Sequence, residues 1–198
     1  NILADKIAVT FASQSHQETL DYPYILAPQC PSFWVDKFPL NGRYYYGERD
    51  YTADLLALIQ DTLMKHQDID PKRIYIVGGS MGGYQGLRLF SDAPDLFAAA
   101  LIACPAKLPA TEKLHHLKDK KIWLIHSELD EVVSIENTRH LLKKIHNEQS
   151  TMPMFTLYKK VIVEGKTIDP HCVFLPLYDN QLTSGRNSIF EWLSEQSL

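Results

Sequence analysis

The chain has 198 residues, enough for one domain with a sizeable core, and we expect residues 1–198 to form a single domain. Apolar residues make up 45% and charged residues 22%, ordinary proportions for a globular protein. The formal net charge of −4 gives no reason to expect nucleic acid as a partner. A membrane-spanning helix needs about 18 or more consecutive apolar residues, and the sequence has no such run.

Three cysteines, Cys30, Cys104 and Cys172, are too few for a disulfide framework and lack the spacing of a metal site. They favour a reducing compartment such as the cytoplasm. The first residues lack the pattern of a signal peptide, although a mature secreted chain would already have lost one.

Strand and helix patterns alternate along the chain. Residues 24–27 form a short apolar run ended by Pro28, which predicts a buried strand, and a loop is expected over 29–50. The remaining patterns are helix 51–67, strand 73–77, helix 81–91, strand 97–103, short helix 111–117, strand 121–126, helix 135–145, strand 154–163 and helix 188–196. This order predicts an α/β fold, a three-layer αβα sandwich with a mostly parallel sheet.

The most informative stretch is Gly78-Gly79-Ser80-Met81-Gly82, a G-x-S-x-G pattern between a predicted strand and a predicted helix. A serine at such a sharp turn is held in a strained conformation, with its hydroxyl above the sheet. We expect side chains at Gly78 and Gly82 to clash with neighbouring backbone. The pattern predicts Ser80 as a nucleophile.

Two other interpretations of this stretch are possible. The first is a glycine-rich connector, but a mere connector does not explain Gly82, Gly83 and Gly86. Each glycine lowers the stability of a helix interior by about 1 kcal/mol relative to alanine. A phosphate-binding loop needs Gly-Lys-Ser/Thr, or G-x-G-x-x-G followed by an acid about 20 residues on, and neither pattern fits well.

A serine nucleophile needs a base, and in α/β hydrolases an acid and then a histidine follow the serine along the chain. After the predicted strand 121–126, the acidic candidates are Asp130 and, as its substitute, Glu128. The alternative for Asp130 is an acid solvated in a loop. The carboxyl ends of parallel strands are where sites form in such sheets, which favours Asp130.

The base must come later in the chain. His140 and His146 fall in a predicted helix and are expected at the surface, whereas His171 lies in a loop after the last predicted strand. That loop can bring the imidazole over Ser80 while Asp130 holds its other nitrogen.

Among the earlier histidines, His126 is expected to form local hydrogen bonds. The adjacent His115 and His116 make an unlikely metal pair, and His16 and His66 have no expected partners.

With Ser80, Asp130 and His171 in this order, the chain resembles the α/β hydrolases in the group of bacterial esterases and predicted peptidases. These proteins are related to polyhydroxybutyrate depolymerase-like and feruloyl esterase-like enzymes. The matching segments are 26–31 (LAPQCP) with Trp34 nearby, 69–84 (IDPKRIYIVGGSMGGY), 94–99 (PDLFAA), 122–126 (IWLIH) with Asp130 and Val133, and 190–193 (FEWL).

The resemblance has two departures. The catalytic histidine of that group commonly precedes a tryptophan, whereas His171 precedes Cys172. The group also carries an earlier strand that ends in a His-Gly segment and supplies one oxyanion-hole N–H, and no such segment stands upstream of Tyr24. We therefore expect the chain to begin after that strand, at a helix over 1–11, and to have an open sheet edge. Met81 N–H would then be the remaining oxyanion donor.

The resemblance implies ester hydrolysis through an acyl-enzyme, with a small-molecule ester as substrate and neither a cofactor nor a metal. Peptide hydrolysis of the oligopeptidase type is the first alternative, and a non-catalytic binding module of the same fold is the second. The loop after the first predicted strand is rich in aromatic residues, and from it we expect Gln29, Trp34 and Tyr44 to bind substrate.

Overall fold

The computed structural model describes residues 7–40, 43–146, 153–181, 183–184 and 187–198. The α-helices are α1 (Ile7–Phe11), α2 (Gln14–Thr19), α3 (Thr52–Lys65), α4 (Met81–Asp92), α5 (Glu136–His146), α6 (Phe174–Tyr178) and α7 (Ile189–Ser194). The strands are β1 (Lys37–Leu40), β2 (Arg43–Tyr46), β3 (Tyr75–Gly79), β4 (Ala99–Ala103), β5 (Lys121–Ser127), β6 (Met154–Tyr158), β7 (Ile162–Val163), β8 (Lys166–Thr167), β9 (Thr183–Ser184) and β10 (Asn187–Ser188). Two 3-10 helices cover Thr111–Leu117 and Pro170–Val173. The first six residues of the helix expected over 1–11 lie outside the described residues.

The main sheet has the order β3-β4-β5-β6, and all of its pairs are parallel. Each strand is joined to the next through a helical segment, as the alternation in the sequence predicts. The predicted α/β class with a mostly parallel sheet is confirmed. Among the described strands, β3 and β6 each have one neighbour and form the two edges of this sheet.

Successive residues of the central strands point to opposite faces and build two cores. Leu101 and Trp123 belong to the core shared with α7, whereas Ile102 and Leu124 belong to the core shared with α3, α4 and α5. All five residues of β4 are buried, because helices cover both of its faces. The sheet is therefore the middle one of three layers.

The prediction of a strand over 24–27 is wrong. These residues form an irregular segment in which Tyr24, Ile25 and Leu26 are exposed, because no described strand pairs with them. Tyr24 instead packs against His66, with ring centroids 4.6 Å apart, and its hydroxyl donates a hydrogen bond to Asp68 at 2.9 Å.

Other element boundaries also differ from the sequence prediction. The expected loop over 29–50 contains the antiparallel hairpin of β1 and β2. The first strand of the main sheet begins at Tyr75 rather than at residue 73. The strand expected over 154–163 ends at Tyr158, and residues 162–163 pair with 166–167 in a separate hairpin that turns at Gly165, where φ is +75°.

The last helix, α7, begins with a capping box. The Ser188 hydroxyl accepts a hydrogen bond from Glu191 N, and the Glu191 carboxylate accepts one from Ser188 N. None of the helices in the described part of the chain has both the length and the apolar character that a membrane crossing needs.

Candidate active site

Ser80 occupies the turn between the edge strand β3 and helix α4. Its φ of 54° and ψ of −121° lie in a region that L-residues rarely adopt. Ser80 N donates to Ala103 O at 3.0 Å, while Ser80 O accepts from Tyr84 N and Ala106 N. These backbone hydrogen bonds to the end of β4, to the segment after it and to the first turn of α4 hold the strained turn in place.

The two glycines of the motif have different roles. A Cβ on Gly78 would lie 2.5 Å from Gly82 O, so that position requires glycine. A Cβ on Gly82 would meet nothing within 4 Å among the described atoms. The prediction of a clash at Gly82 is therefore wrong. The backbone of Gly82 lies close to Gly78, but a side chain on Gly82 itself would have room.

Asp130 follows β5, and its side chain is completely buried. Its Oδ1 accepts hydrogen bonds from Val132 N and Val133 N, both at 2.9 Å. Its Oδ2 lies 2.9 Å from Nδ1 of His171. Burial raises the pKa of this carboxyl, but hydrogen bonds from His126, His171 and Val133 N outweigh that effect and hold the pKa well below its usual range. Asp130 is therefore not an acid that is solvated in a loop. Glu128, the substitute candidate, is exposed.

His126 supports this carboxylate from the end of β5. Its Nε2 lies 3.1 Å from Val133 O, and its Nδ1 lies 2.8 Å from the hydroxyl of Thr138. Because a carbonyl only accepts, we assign the ring proton to Nε2, and the Thr138 hydroxyl then donates to Nδ1. His126 is therefore the local hydrogen-bonding residue that the sequence suggested.

His171 lies in the 3-10 helix Pro170–Val173, where the Asp169 carboxylate accepts a hydrogen bond from His171 N at 2.9 Å. Its Nε2 is 3.1 Å from Ser80 Oγ. Since Asp130 Oδ2 is an acceptor, the neutral imidazole carries its proton on Nδ1 and turns the lone pair of Nε2 toward the serine hydroxyl. The structure thus brings the three sequence candidates into one hydrogen-bonded series.

The remaining histidines lie away from this series. His140 and His146 are exposed on α5, as expected. The expectation that His16 lacks partners is wrong, because its Nε2 lies 2.8 Å from Tyr178 O and its Nδ1 lies 2.7 Å from Ser13 Oγ. These contacts tie α2 to the end of α6.

Cys104 is the site residue that sequence reasoning missed. It follows β4 with a φ of 35°, is completely buried, and its thiol donates to His171 O at 3.5 Å. Burial, together with the nearby charge of Asp130, raises the pKa of this thiol far above its usual value. The only sequence signal was its position at the end of a predicted strand.

A cleft of about 930 Å³ opens beside Ser80 along the edge of β3. Gln29 and Trp34, two of the residues proposed to bind substrate, line it together with Phe174, whose side chain packs against Gly79. Tyr44 does not line it, so its expected role is not supported. This residue lies on the β1–β2 hairpin, 58% exposed, with the Lys37 ammonium 3.9 Å from its ring centroid.

Met81 is the first residue of α4 and lines the same cleft. The first N–H groups of an α-helix have no partner within the helix, and the helix dipole places partial positive charge there. This end of α4 therefore suits an oxygen that gains negative charge near Ser80.

The parallel sheet, the strained serine turn and the order of acid and histidine are the features of an α/β hydrolase. The sequence model of the prolyl oligopeptidase family matches residues 35–108 of this chain. A solved thermostable esterase is 36% identical to this chain, with a TM-score of 0.75, over 96% of this chain and 48% of its own. The chain therefore has a partial α/β-hydrolase fold, and the proteins that it resembles are esterases and peptidases of that superfamily.

The acylaminoacyl peptidase of Pyrococcus horikoshii is 17% identical over 64% of this chain and 26% of its own, with a TM-score of 0.52, and supports the fold alone. The chain spans about half the length of the esterase. A search of curated protein sequences gives no significant match.

Proposed function

We propose that this chain carries the catalytic triad of a serine hydrolase, with Ser80 as nucleophile, His171 as base and Asp130 as the acid that orients it. The hydrogen-bonded series from Ser80 Oγ through His171 to Asp130 Oδ2, with distances of 3.1 and 2.9 Å, is the observation that carries the proposal. Both distances are within the reach of general base catalysis before any substrate is bound.

In the reaction, Ser80 Oγ attacks the carbonyl carbon of the substrate while its proton passes to His171 Nε2. The imidazolium that forms is stabilised by the ionised Asp130, whose low pKa keeps it charged throughout. His171 then gives the proton to the leaving group, and an acyl group remains on Ser80. Water attacks this acyl-enzyme with His171 again as the base, which restores the free serine.

Met81 N–H is the donor that we propose for the carbonyl oxygen as it becomes an oxyanion. Its position at the start of α4 adds the positive end of the helix dipole. Loss of one such donor typically costs about 10²–10³ in rate, so this amide is a large part of the proposed catalysis.

We propose a carboxylic ester as the substrate. The 36% identical structure is an esterase, and the cleft beside Ser80 has an aromatic wall that includes Phe174 and Trp34. Such a wall suits the apolar acyl or aryl part of a small to medium ester. Gln29 offers an amide group to the same cleft.

Peptide hydrolysis is the second candidate, because the prolyl oligopeptidase family matches a segment that includes Ser80. The amine of a cleaved peptide bond leaves only after its nitrogen is protonated. A peptidase must therefore place His171 near that nitrogen as well as near Ser80. Parallel assays with nitrophenyl esters and aminoacyl anilides separate the two. Ester turnover without anilide turnover supports the esterase, and efficient anilide turnover supports the peptidase.

Labelling with a fluorophosphonate tests the nucleophile directly. We expect the chain to be labelled at Ser80, the Ser80→Ala variant to lose the label, and Ser134→Ala, at an exposed serine before α5, to keep it. Labelling that persists in Ser80→Ala would refute the assignment. A folded chain that takes no label would favour the non-catalytic binding module.

A further inference from the structure

The thiol of Cys104 stands beside the proposed triad without a role in the reaction described above. It is completely buried at the end of β4 and contacts the backbone of His171 through the 3.5 Å hydrogen bond from Sγ to the carbonyl oxygen. Cys104 Sγ, a carboxylate oxygen of Asp130 and a ring nitrogen of His171 all lie within 4.8 Å of one another. A sulfur, an oxygen and a nitrogen donor thus lie close together.

The separations can be compared with those of zinc ligands. Zinc binds sulfur at about 2.3 Å and nitrogen or oxygen at about 2.0–2.2 Å in a tetrahedron, which places its ligand atoms about 3.3–3.7 Å apart. Nδ1 of His171 and Oδ2 of Asp130 are 2.9 Å apart and need to separate by about 0.5 Å. The sulfur lies within 4.8 Å of both donors and would have to approach them by up to about 1 Å. His171 is the donor that solvent reaches, since its side chain is 15% exposed at the cleft.

We propose that Cys104, Asp130 and His171 form an inhibitory binding site for a thiophilic divalent cation, of which Zn²⁺ is the best fit. The combination of thiolate, imidazole and carboxylate selects borderline-soft ions of this kind over Mg²⁺ and Ca²⁺, which prefer oxygen ligands alone. Zinc would take water or another small ligand as its fourth ligand.

Binding changes the protons of two side chains. The Cys104 thiol loses its proton to solvent and becomes a thiolate, while the Asp130 carboxylate stays ionised. A neutral imidazole has one N–H, so zinc on Nδ1 of His171 moves that proton to Nε2. Nε2 then has no lone pair for the Ser80 hydroxyl, and His171 can no longer act as a base.

The inhibition rests on the proposed function, whereas the binding does not. Cobalt(II) tests binding without any substrate, because a thiolate bound to cobalt gives a charge-transfer band in the near ultraviolet. We expect the chelator-treated chain to develop this band at one equivalent of Co²⁺, and added Zn²⁺ to remove it. Cys30→Ala, at a half-exposed thiol, and His115→Ala, at the exposed histidine pair, are expected to keep it.

Cys104→Ser keeps nearly the same volume and removes the sulfur ligand. We expect it to lose the cobalt band and to weaken Zn²⁺ binding, measured by chelator competition, by at least about 10-fold. Should this variant fail to fold, His171→Ala removes the nitrogen donor instead and is expected to weaken Co²⁺ binding. No cobalt band in the wild-type chain, or a band that persists in Cys104→Ser, overturns the proposal.

Ester hydrolysis measured against Zn²⁺ concentration tests the consequence. We expect inhibition that a chelator reverses, and a concentration for half inhibition at least about 10-fold higher in Cys104→Ser than in the wild type. Equal inhibition of both overturns the proposed site even if the enzyme is active. A chain without esterase activity that still shows the cobalt band contradicts the proposed function and leaves the metal site standing.

Discussion

Nε2 of His126 lies 3.4 Å from Oδ2 of Asp130, the same oxygen that accepts the hydrogen bond from His171. The backbone amides of Val132 and Val133 hold the other oxygen. The buried carboxylate is therefore surrounded by N–H groups on both oxygens, which fixes its orientation toward His171 and keeps it ionised.

Asp130→Asn should lower kcat by about 10³–10⁴-fold, because an amide presents the wrong group to Nδ1 of His171 and disturbs its tautomer. Glu128→Gln, two residues earlier and exposed, should leave kcat unchanged. Steady-state ester hydrolysis measures both. A loss of less than about 10-fold in Asp130→Asn would show that His171 does not depend on this carboxylate.

Gly78→Ala and Gly82→Ala should have opposite effects on the free energy of unfolding. The new Cβ at residue 78 meets a backbone oxygen at 2.5 Å, so we expect a loss of about 1–3 kcal/mol. The Cβ at residue 82 meets no described atom within 4 Å, and alanine favours helix, so we expect a gain of up to about 1 kcal/mol. Urea unfolding of the two variants tests this, and equal destabilisation would contradict the difference.

Ser80→Gly should be more stable than Ser80→Ala by about 1 kcal/mol, although neither has a nucleophile. Glycine adopts a φ of 54° and a ψ of −121° without the strain of a Cβ, and this gain exceeds its larger entropy loss on folding. Thermal unfolding of the two inactive variants isolates the backbone strain from catalysis. A higher melting temperature for Ser80→Ala would mean that the turn is not strained.

Asp50 should make the chain more stable at neutral pH than in acid. Burial raises its pKa, but hydrogen bonds from Thr52 and the ion pair with Arg88 outweigh this effect and hold the pKa at about 2, below its ordinary 3.8. A carboxyl with a lowered folded-state pKa contributes stability above its unfolded pKa and loses it as the pH falls through the folded value.

We therefore expect Asp50→Asn to be less stable than wild type by about 0.5–1 kcal/mol at pH 7, and the difference to shrink between about pH 4 and pH 2 and to be lost below the folded-state pKa. Denaturant unfolding across this pH range measures it. Asp54→Asn, which removes an exposed ion pair with Arg49, is the control and should show little difference at any pH. A difference for Asp50→Asn that is as large at pH 2 as at pH 7 would exclude the charge as its cause.

The order of elements from α3 onward was predictable because each has a strong local pattern. The alternation of helices and apolar strands predicted the parallel sheet, and the chain order of Ser80, Asp130 and His171 predicted which residues meet at its edge. These signals depend on residues that are close in sequence or on the handedness of βαβ units, so they do not require the tertiary contacts.

Features that depend on distant contacts were not predictable. The apolar run at 24–27 has the composition of a strand, but a strand also needs a neighbour, and the sequence does not reveal one. The partner of His16 is a carbonyl 162 residues away at Tyr178. Cys104 reaches His171 only because β4 ends beneath the loop that carries the histidine.

The position of Ser80 at the end of an edge strand has a consequence for exchange of backbone amide protons. In the described sheet, β4 and β5 are flanked on both sides, whereas β3 is bonded to β4 alone. Local opening should therefore require less free energy in β3 than in its inner neighbours, and its amides should take up deuterium sooner. Ser80 directly follows this edge strand, so protection of the β3 amides reports how firmly the turn that carries Ser80 is held when no substrate is present.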